Sequence, residues 1–361
     1  MKYCPRCLMP TTHPNLLFNK DGVCQACINY DNNGKIDWEY RWKIVLKDLC
    51  TKIKEINKPI LIGVSGGKDS TYITYIMKEL MEMDIVLFTV NDPFTTTDAG
   101  IHNLNNLRET FNCDSYVFEM GKQTFRKATR YAFENFGEPL RLIEQAIYAT
   151  TLRFATYMKF PLVVFGENSS YIYGSSDKDV MYANKYIESM FKNIDYTSWK
   201  KAGIPESDLS FVTPPKEEYP PVIFMSYFSL WDNAKHVEIA KKHGFKTVHH
   251  EWDRQGTVEV NSQIDSLGYL VQLYTKYPKF GAGRTTDICS REIRAGRLSI
   301  EEGKELILKH DHVFDERSVE DFCQFCGYTA QEFWKIVDSW YNRDLFEKNK
   351  FGQWVLKEPR F

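Results

Sequence analysis

The run Ser65-Gly-Gly-Lys-Asp-Ser70 constrains the fold more than any other part of this 361-residue chain. It follows an apolar, strand-like segment, Pro59-Ile-Leu-Ile-Gly-Val64, and precedes Ile73, Ile76, Met77 and Leu80, which recur at helical spacing on one face. The order is therefore strand, tight turn, helix. Gly66 and Gly67 let the backbone turn sharply and approach an anion closely, while the amides of the turn and the helix dipole favour negative charge there. Lys68 adds a full positive charge, and Asp69 and Ser70 are short polar residues of the kind a helix N-terminus favours. The plain alternative is an ordinary strand-to-helix turn with a chance glycine pair. The coincidence of strand, glycines, lysine and helix favours a phosphate site for a nucleotide.

The run lacks the spacer of G-x-x-x-x-G-K-[ST], so it does not spell a kinase- or GTPase-like loop. It resembles instead the S-G-G-x-D-S signature of the ATP pyrophosphatase (PP-loop) superfamily. Those enzymes cleave ATP between its α- and β-phosphates to adenylate a carbonyl-type oxygen, and nitrogen or sulfur then displaces AMP. The resemblance implies that Ser65, Gly66, Gly67, Lys68, Asp69 and Ser70 bind ATP. It assigns Lys68 to the leaving β- and γ-phosphates and Asp69 to the placement of Mg2+.

At the N-terminus, Cys4-Pro-Arg-Cys7 and Cys24-Gln-Ala-Cys27 form two C-x-x-C pairs joined by a short segment with a turn at Asp21-Gly22. Four thiolates so spaced suit tetrahedral Zn2+, and a module of residues 1–35 is too small to fold on buried area alone. Two disulfides in a secreted chain are the alternative. Nothing upstream of Cys4 resembles a signal peptide, so reduced thiols and a structural zinc in the cytoplasm are expected.

Lys and Arg number 46 against 48 Asp and Glu, and this near balance offers no support for a nucleic-acid partner. No apolar run reaches membrane-spanning length. Strand-like runs at 60–64, 84–90, 115–119, 162–165 and 222–227 alternate with helical patterns, which predicts an α/β fold with a doubly wound parallel sheet. Ligands of such sheets sit at the carboxyl ends of the strands, which directs attention to Asn91 after the second run and to Gly166, Glu167 and Asn168 after the fourth. Both stretches also read as ordinary loop. The sheet domain is expected to span residues 36–255, with an aromatic insertion at about 169–221 that includes Tyr173 and Trp199. Its aromatics suit either sugar stacking or a small helical core, and the core reading is favoured.

A mainly helical region, 256–361, contains Gly281-Ala-Gly-Arg-Thr-Thr-Asp287 and Ser290-Arg-Glu-Ile-Arg-Ala-Gly-Arg297. Arg284 and Asp287 are candidate substrate contacts, while Arg291, Glu292 and Arg294 equally describe a solvated ion-pair face. Taken in order, the cysteine pairs, S-G-G-K-D-S, Gly166-Glu-Asn168 and the arginine segment resemble the bacterial N-acetyl sugar amidotransferases, over nearly the whole chain. That resemblance implies adenylation of an acetamido oxygen, on a sugar or its nucleotide-linked form, and replacement of AMP by ammonia. The products would be acetamidino sugars for O-antigen or for pseudaminic or legionaminic acid glycans. No glutaminase constellation is recognisable, so a separate glutaminase and a cyclase-like subunit are the implied ammonia source. Two rivals stand beside it: a PP-loop tRNA thiolase using Cys289, Cys323 and Cys326, and a non-catalytic nucleotide-binding scaffold. Cys323 and Cys326 share an apolar helical face with Val319 and Phe322, which places them in a core.

Overall fold

The computed structural model describes residues 1–167 and 180–361. Five parallel strands form the central sheet: β1 (Ile60–Gly63), β2 (Ile85–Asn91), β3 (Asp114–Glu119), β4 (Val163–Phe165) and β5 (Val222–Phe224), in the order β3-β2-β1-β4-β5. Ile62 is flanked by Leu87 of β2 and Val164 of β4. The expected architecture of parallel sheet, N-terminal cysteine cluster and helical C-terminal region is the one observed.

The strand sequences explain the layering. Alternate residues point to opposite faces. Leu61, Val86, Phe88, Val163, Val222 and Phe224 pack on one side of the sheet, and Ile60, Ile62, Leu87, Val164 and Ile223 on the other. Both faces are apolar because both are covered, as parallel sheets require. Helices Lys47–Lys54 and Lys68–Tyr75 cover the second face. The first is covered by Lys122–Phe136 and Arg141–Met158, by helices from the aromatic stretch, and by Glu316–Cys326 and Ala330–Trp340.

The described part of the aromatic stretch, residues 180–221, packs as core. Helices Asn184–Lys192 and Tyr196–Lys201 bury Ile187, Phe191 and Trp199 against the sheet, and the Trp199 indole N–H donates to Gln145 Oε1 at 3.1 Å. Cys323 and Cys326 lie in this same core, whereas Cys289 packs with Leu8 and Ile307 in a separate cluster. The C-terminal helices thus share one core with the sheet. Two details depart from the sequence reading. The fifth strand ends at Phe224, because Met225–Tyr227 curls into a 3-10 turn whose Ser226 N–H donates to the Gly166 carbonyl at 3.0 Å. The C-terminal region also holds a hairpin, β6 (Phe346–Lys348) against β7 (Trp354–Leu356), closed by a turn with Gly352 at φ +76°. Among the described residues no helix is long and apolar enough to cross a membrane.

Candidate active site

β1 delivers the chain into the glycine loop. Gly66 sits at φ +86°, and a Cβ there would lie 3.0 Å from the Leu104 amide nitrogen, so both conformation and space demand glycine. The Ser65 N–H donates to Ser70 Oγ at 2.9 Å, which closes the loop on itself. Gly67 precedes the helix Lys68–Tyr75 with no side-chain cap, leaving the first amides of that helix to another acceptor.

Lys68 is 5% exposed, and its Nζ lies 2.7 Å from Asp69 Oδ2. Asp69 Oδ1 lies 2.7 Å from Nδ1 of His236, a fully buried residue on the helix Asn233–Lys242. Tyr72 stacks on the imidazole at 3.9 Å between centroids, and Trp231 meets it edge-on at 4.4 Å. Burial works to raise the Asp69 pKa, but Lys68 and His236 override it and hold the carboxyl well below the usual range. Burial lowers the His236 pKa despite its carboxylate partner. Asp69 therefore orients Lys68 and remains ionised at neutral pH.

The loop opens on a cavity of about 240 Å³. It lies at the carboxyl ends of β1 and β4, where the strand order reverses and open α/β sheets bind ligands. Ser65, Gly67, Lys68, Asp69, Ser70 and Glu167 form its floor. Opposite stands the helix Arg284–Arg294, which with the residue three beyond it presents Arg284, Arg291, Arg294 and Arg297. A third wall is the segment 261–265, and Ala26 and Tyr30 of the cysteine module line the cavity together with Leu230, Trp231 and Asp232.

The arginines differ in their engagement. Arg284 donates through Nε (3.1 Å) and Nη2 to Glu259 Oε1. Arg297 pairs with Glu292 at 2.6 Å and with Asp232 at 3.2 Å. Arg294 donates to Cys7 Sγ at 3.5 Å, tying the arginine helix to the cysteine module. Nε and Nη2 of Arg291 are buried with no hydrogen-bond partner among the described residues, and Glu259 is 3.9 Å away. Burial would raise the Glu259 pKa, but Arg284, Arg291 and Lys68 bring it down to about 2. Such a wall suits an anionic group, for which Arg291 supplies buried donors.

The arginine helix has a borrowed cap. Gly283 offers no side chain, and Asp311, from beyond the helix Ile300–His310, accepts from the Gly283 N–H (2.8 Å), the Thr286 N–H (3.0 Å) and Thr286 Oγ1 (2.6 Å). Buried Arg360 donates to the same carboxylate at 2.7 Å. Asp311→Ala is expected to cost about 3–5 kcal/mol, because it strands a buried guanidinium and uncaps the helix. Urea denaturation measures it, and a loss below about 1 kcal/mol would contradict this account.

The sequence candidates divide accordingly. Ser65, Gly67, Lys68, Asp69, Ser70, Glu167 and Arg284 line the cavity, with Gly66 inside the loop. Asn91 lies outside the lining, its amide donating to Glu119 Oε1 at 3.3 Å. Gly166 is also outside the lining, and a Cβ there would press on Ile73 and Trp231 at 3.1–3.2 Å. Asp287 turns away from the cavity to meet Lys276 at 2.5 Å and His13 at 3.7 Å, joining the arginine helix to its neighbours. Asn168 and Tyr173 lie outside the described residues. His236, Glu259 and the 261–265 segment carried no sequence signal, since each is a lone polar residue or coil until the fold places it.

Cys4, Cys7, Cys24 and Cys27 are buried and unpaired by disulfides, and their sulfur atoms all lie within 4.8 Å of one another. The Cys4–Cys27 and Cys7–Cys24 separations are 3.9 and 3.5 Å. A tetrahedral ion with Zn–S bonds of about 2.3 Å would set such separations near about 3.8 Å, so the cluster fits a four-thiolate metal site. Leu8, just after the first pair, takes φ +66°, and the second pair opens the helix Gln25–Asn32. That helix carries Tyr30 to the cavity.

Fold and loop together define a parallel α/β protein with a glycine loop and an uncapped helix N-terminus at the switch point of its sheet. Residues 240–359, about a third of the chain, match the family described as LPS biosynthesis protein WbpG-like, C-terminal domain. No curated protein matches the sequence significantly. Among solved structures, the chain is similar to the U34-tRNA thiolase NcsA from Methanococcus maripaludis with its [4Fe-4S] cluster. Identity is 14% and the TM-score 0.31, covering 91% of this chain and 96% of that one. It is also similar to the NH3-dependent NAD synthetase from Campylobacter jejuni in complex with the nitrate ion. Identity there is 16% and the TM-score 0.28, covering 51% of this chain and 100% of that one.

Proposed function

We propose that this protein is an ATP-dependent amidotransferase of surface-polysaccharide biosynthesis. It adenylates the carbonyl oxygen of a sugar N-acetyl group and replaces AMP with ammonia to form an acetamidino sugar. One observation carries the reading: the glycine loop with Lys68 faces, across a single cavity, the arginine helix from the segment that matches a lipopolysaccharide-biosynthesis domain.

An acetamido carbonyl is a poor electrophile, and its oxygen does not leave as hydroxide under mild conditions. Adenylation removes both obstacles. The loop amides and Lys68 hold the β- and γ-phosphates of ATP, and Arg291 offers its unpartnered donors to the reacting phosphoryl region. Preorganised positive charge of this kind acts most strongly in a water-poor cleft. Mg2+ would supply charge neutralisation of the polyphosphate. Asp69 and Glu167 fit a Mg2+ ion held by one or two carboxylates and by substrate phosphates. Zn2+ in the four-cysteine site is structural in this reading, since four thiolates leave no open coordination position. The protein works in the cytoplasm, with ammonia delivered by a separate glutaminase through a cyclase-like subunit.

The test is incubation of the purified protein with ATP, Mg2+, ammonium and a panel of N-acetyl sugars and their nucleotide-linked forms. AMP is followed by chromatography and product by mass. AMP formation that depends on an acetamido sugar is expected. AMP formation that depends on tRNA instead would transfer the assignment to sulfur transfer.

A further inference from the structure

We propose that Asp265 is the base that accepts the proton from incoming ammonia as AMP is displaced, making residues 261–265 the amination wall of the cavity. This rests on the amidotransferase reading above.

Asp265 lines the cavity that the loop and Lys68 also line, and its Oδ1 is sealed from solvent with no hydrogen-bond partner among the described residues. Such an oxygen is expensive to leave unmatched and calls for an explanation. Its position is held from several sides. The Thr97 N–H donates to the Asp265 carbonyl at 3.1 Å and Thr97 Oγ1 to the Ile264 carbonyl, while Arg254 Nη1 donates to the Ser262 carbonyl at 2.7 Å. A Cβ on Gly100 would sit 2.5 Å from the Asp265 carbonyl oxygen, so the close approach of that helix requires glycine. Gln263 takes φ +50°, a left-handed conformation unusual for a non-glycine residue. The segment is a preorganised wall.

The other carboxylates near Lys68 have other roles: Glu167, also in the cavity lining, is assigned with Asp69 to Mg2+ in the reading above, and Asp232 and Glu292 pair with Arg297. Asp69 divides its oxygens between Lys68 and His236, and Glu259, behind the arginine wall, holds Arg284. Burial, reinforced by the neighbouring Asp92 carboxylate, pushes Asp265 up to about 7, against the opposing pull of Lys68 and Arg254. Asp92 itself, bonded to Ser266 Oγ at 2.8 Å, is raised to about 6 by burial. Tyr269, the remaining titratable neighbour, is raised well above its ordinary value by burial and stays neutral. A base poised near the working pH transfers protons most effectively. A polyphosphate against Lys68 offsets the cation that holds Asp265 down, so the carboxylate gains basicity once ATP is bound.

The amide oxygen attacks the α-phosphorus, the bond to the β-phosphate breaks, and pyrophosphate leaves with the electron pair. Ammonia adds its lone pair to the imidate carbon, and the C=N π electrons move to nitrogen. The new NH3⁺ group gives one proton to Asp265, the C–O bond breaks with AMP taking the pair, and an amidinium remains. Asp265 returns its proton to water.

The experiment separates the two half-reactions. Sugar-dependent exchange of labelled pyrophosphate into ATP reads adenylation, and amidine formation from ammonium chloride reads amination. In the wild type, amination is expected to rise with pH through an apparent pKa at or above about 7, the value of the ligand-free protein. In Asp265→Asn it falls about 10²–10⁴-fold and loses that pH step, while exchange falls less than about tenfold. Asp265→Ala should regain amination with added formate, which restores a small carboxylate. Amination by Asp265→Asn within about tenfold of wild type with the pH step kept, or equal loss of exchange and amination with no formate rescue, would overturn the assignment. Absence of sugar-dependent exchange in the wild type sinks the amidotransferase reading first, and this inference with it.

Discussion

Lys68→Ala is expected to lower sugar-dependent AMP formation by about 10²–10³-fold while leaving the fold intact. The side chain is almost fully enclosed, yet its ammonium points to Asp69 at the mouth of the glycine loop rather than into an apolar core. In the proposed reaction its charge is most valuable as negative charge gathers on departing pyrophosphate, so truncation should affect the transition state more than the ground state. Circular dichroism and the melting temperature should change little, because His236 still engages Asp69 and keeps that carboxylate paired. Asp69→Asn should fail similarly in activity, since it releases both Lys68 and His236. The Asp69 pKa is depressed in the folded protein, so its stabilising pairs persist above the ordinary carboxylate range and are lost only as pH falls through the folded value. A loss of only about twofold in Lys68→Ala would remove the loop from the ATP site.

The second large effect concerns the cysteine module. Cys24→Ser is expected to release one bound metal ion per chain and to unfold residues 1–35, because structural zinc sites supply about 10–16 kcal/mol of folding free energy in small domains. Elemental analysis reads the metal. Limited proteolysis reads the module, with new cleavage confined to the N-terminus because the sheet has its own apolar clusters on both faces. Activity should fall by more than about tenfold, since the module contributes Ala26 and Tyr30 to the cavity and anchors Arg294 through Cys7. A metal-free wild type with an intact module would refute the assignment.

The parts of this protein that the sequence determined by itself are those whose physics closes within a few residues. The strand, glycine turn and helix of residues 60–80 follow from backbone freedom and apolar spacing, and the two cysteine pairs announce their own ligand geometry. The strands were legible because both sheet faces are apolar. Val319 and Phe322 mark the helical face that puts Cys323 and Cys326 in a core. Tertiary structure alone decided which of these meet. Asp69 finds His236 167 residues away, Gly283 takes its cap from Asp311 28 residues on, and Arg360 joins that carboxylate from a further 49. Glu259 and Asp265 belong to no local pattern, and Asn91, Gly166 and Asp287 occupy strand ends or motif positions outside the cavity lining. A polar residue's role depends on what opposes it across a cavity, and that is set by burial and packing over the whole chain rather than by its neighbours in sequence.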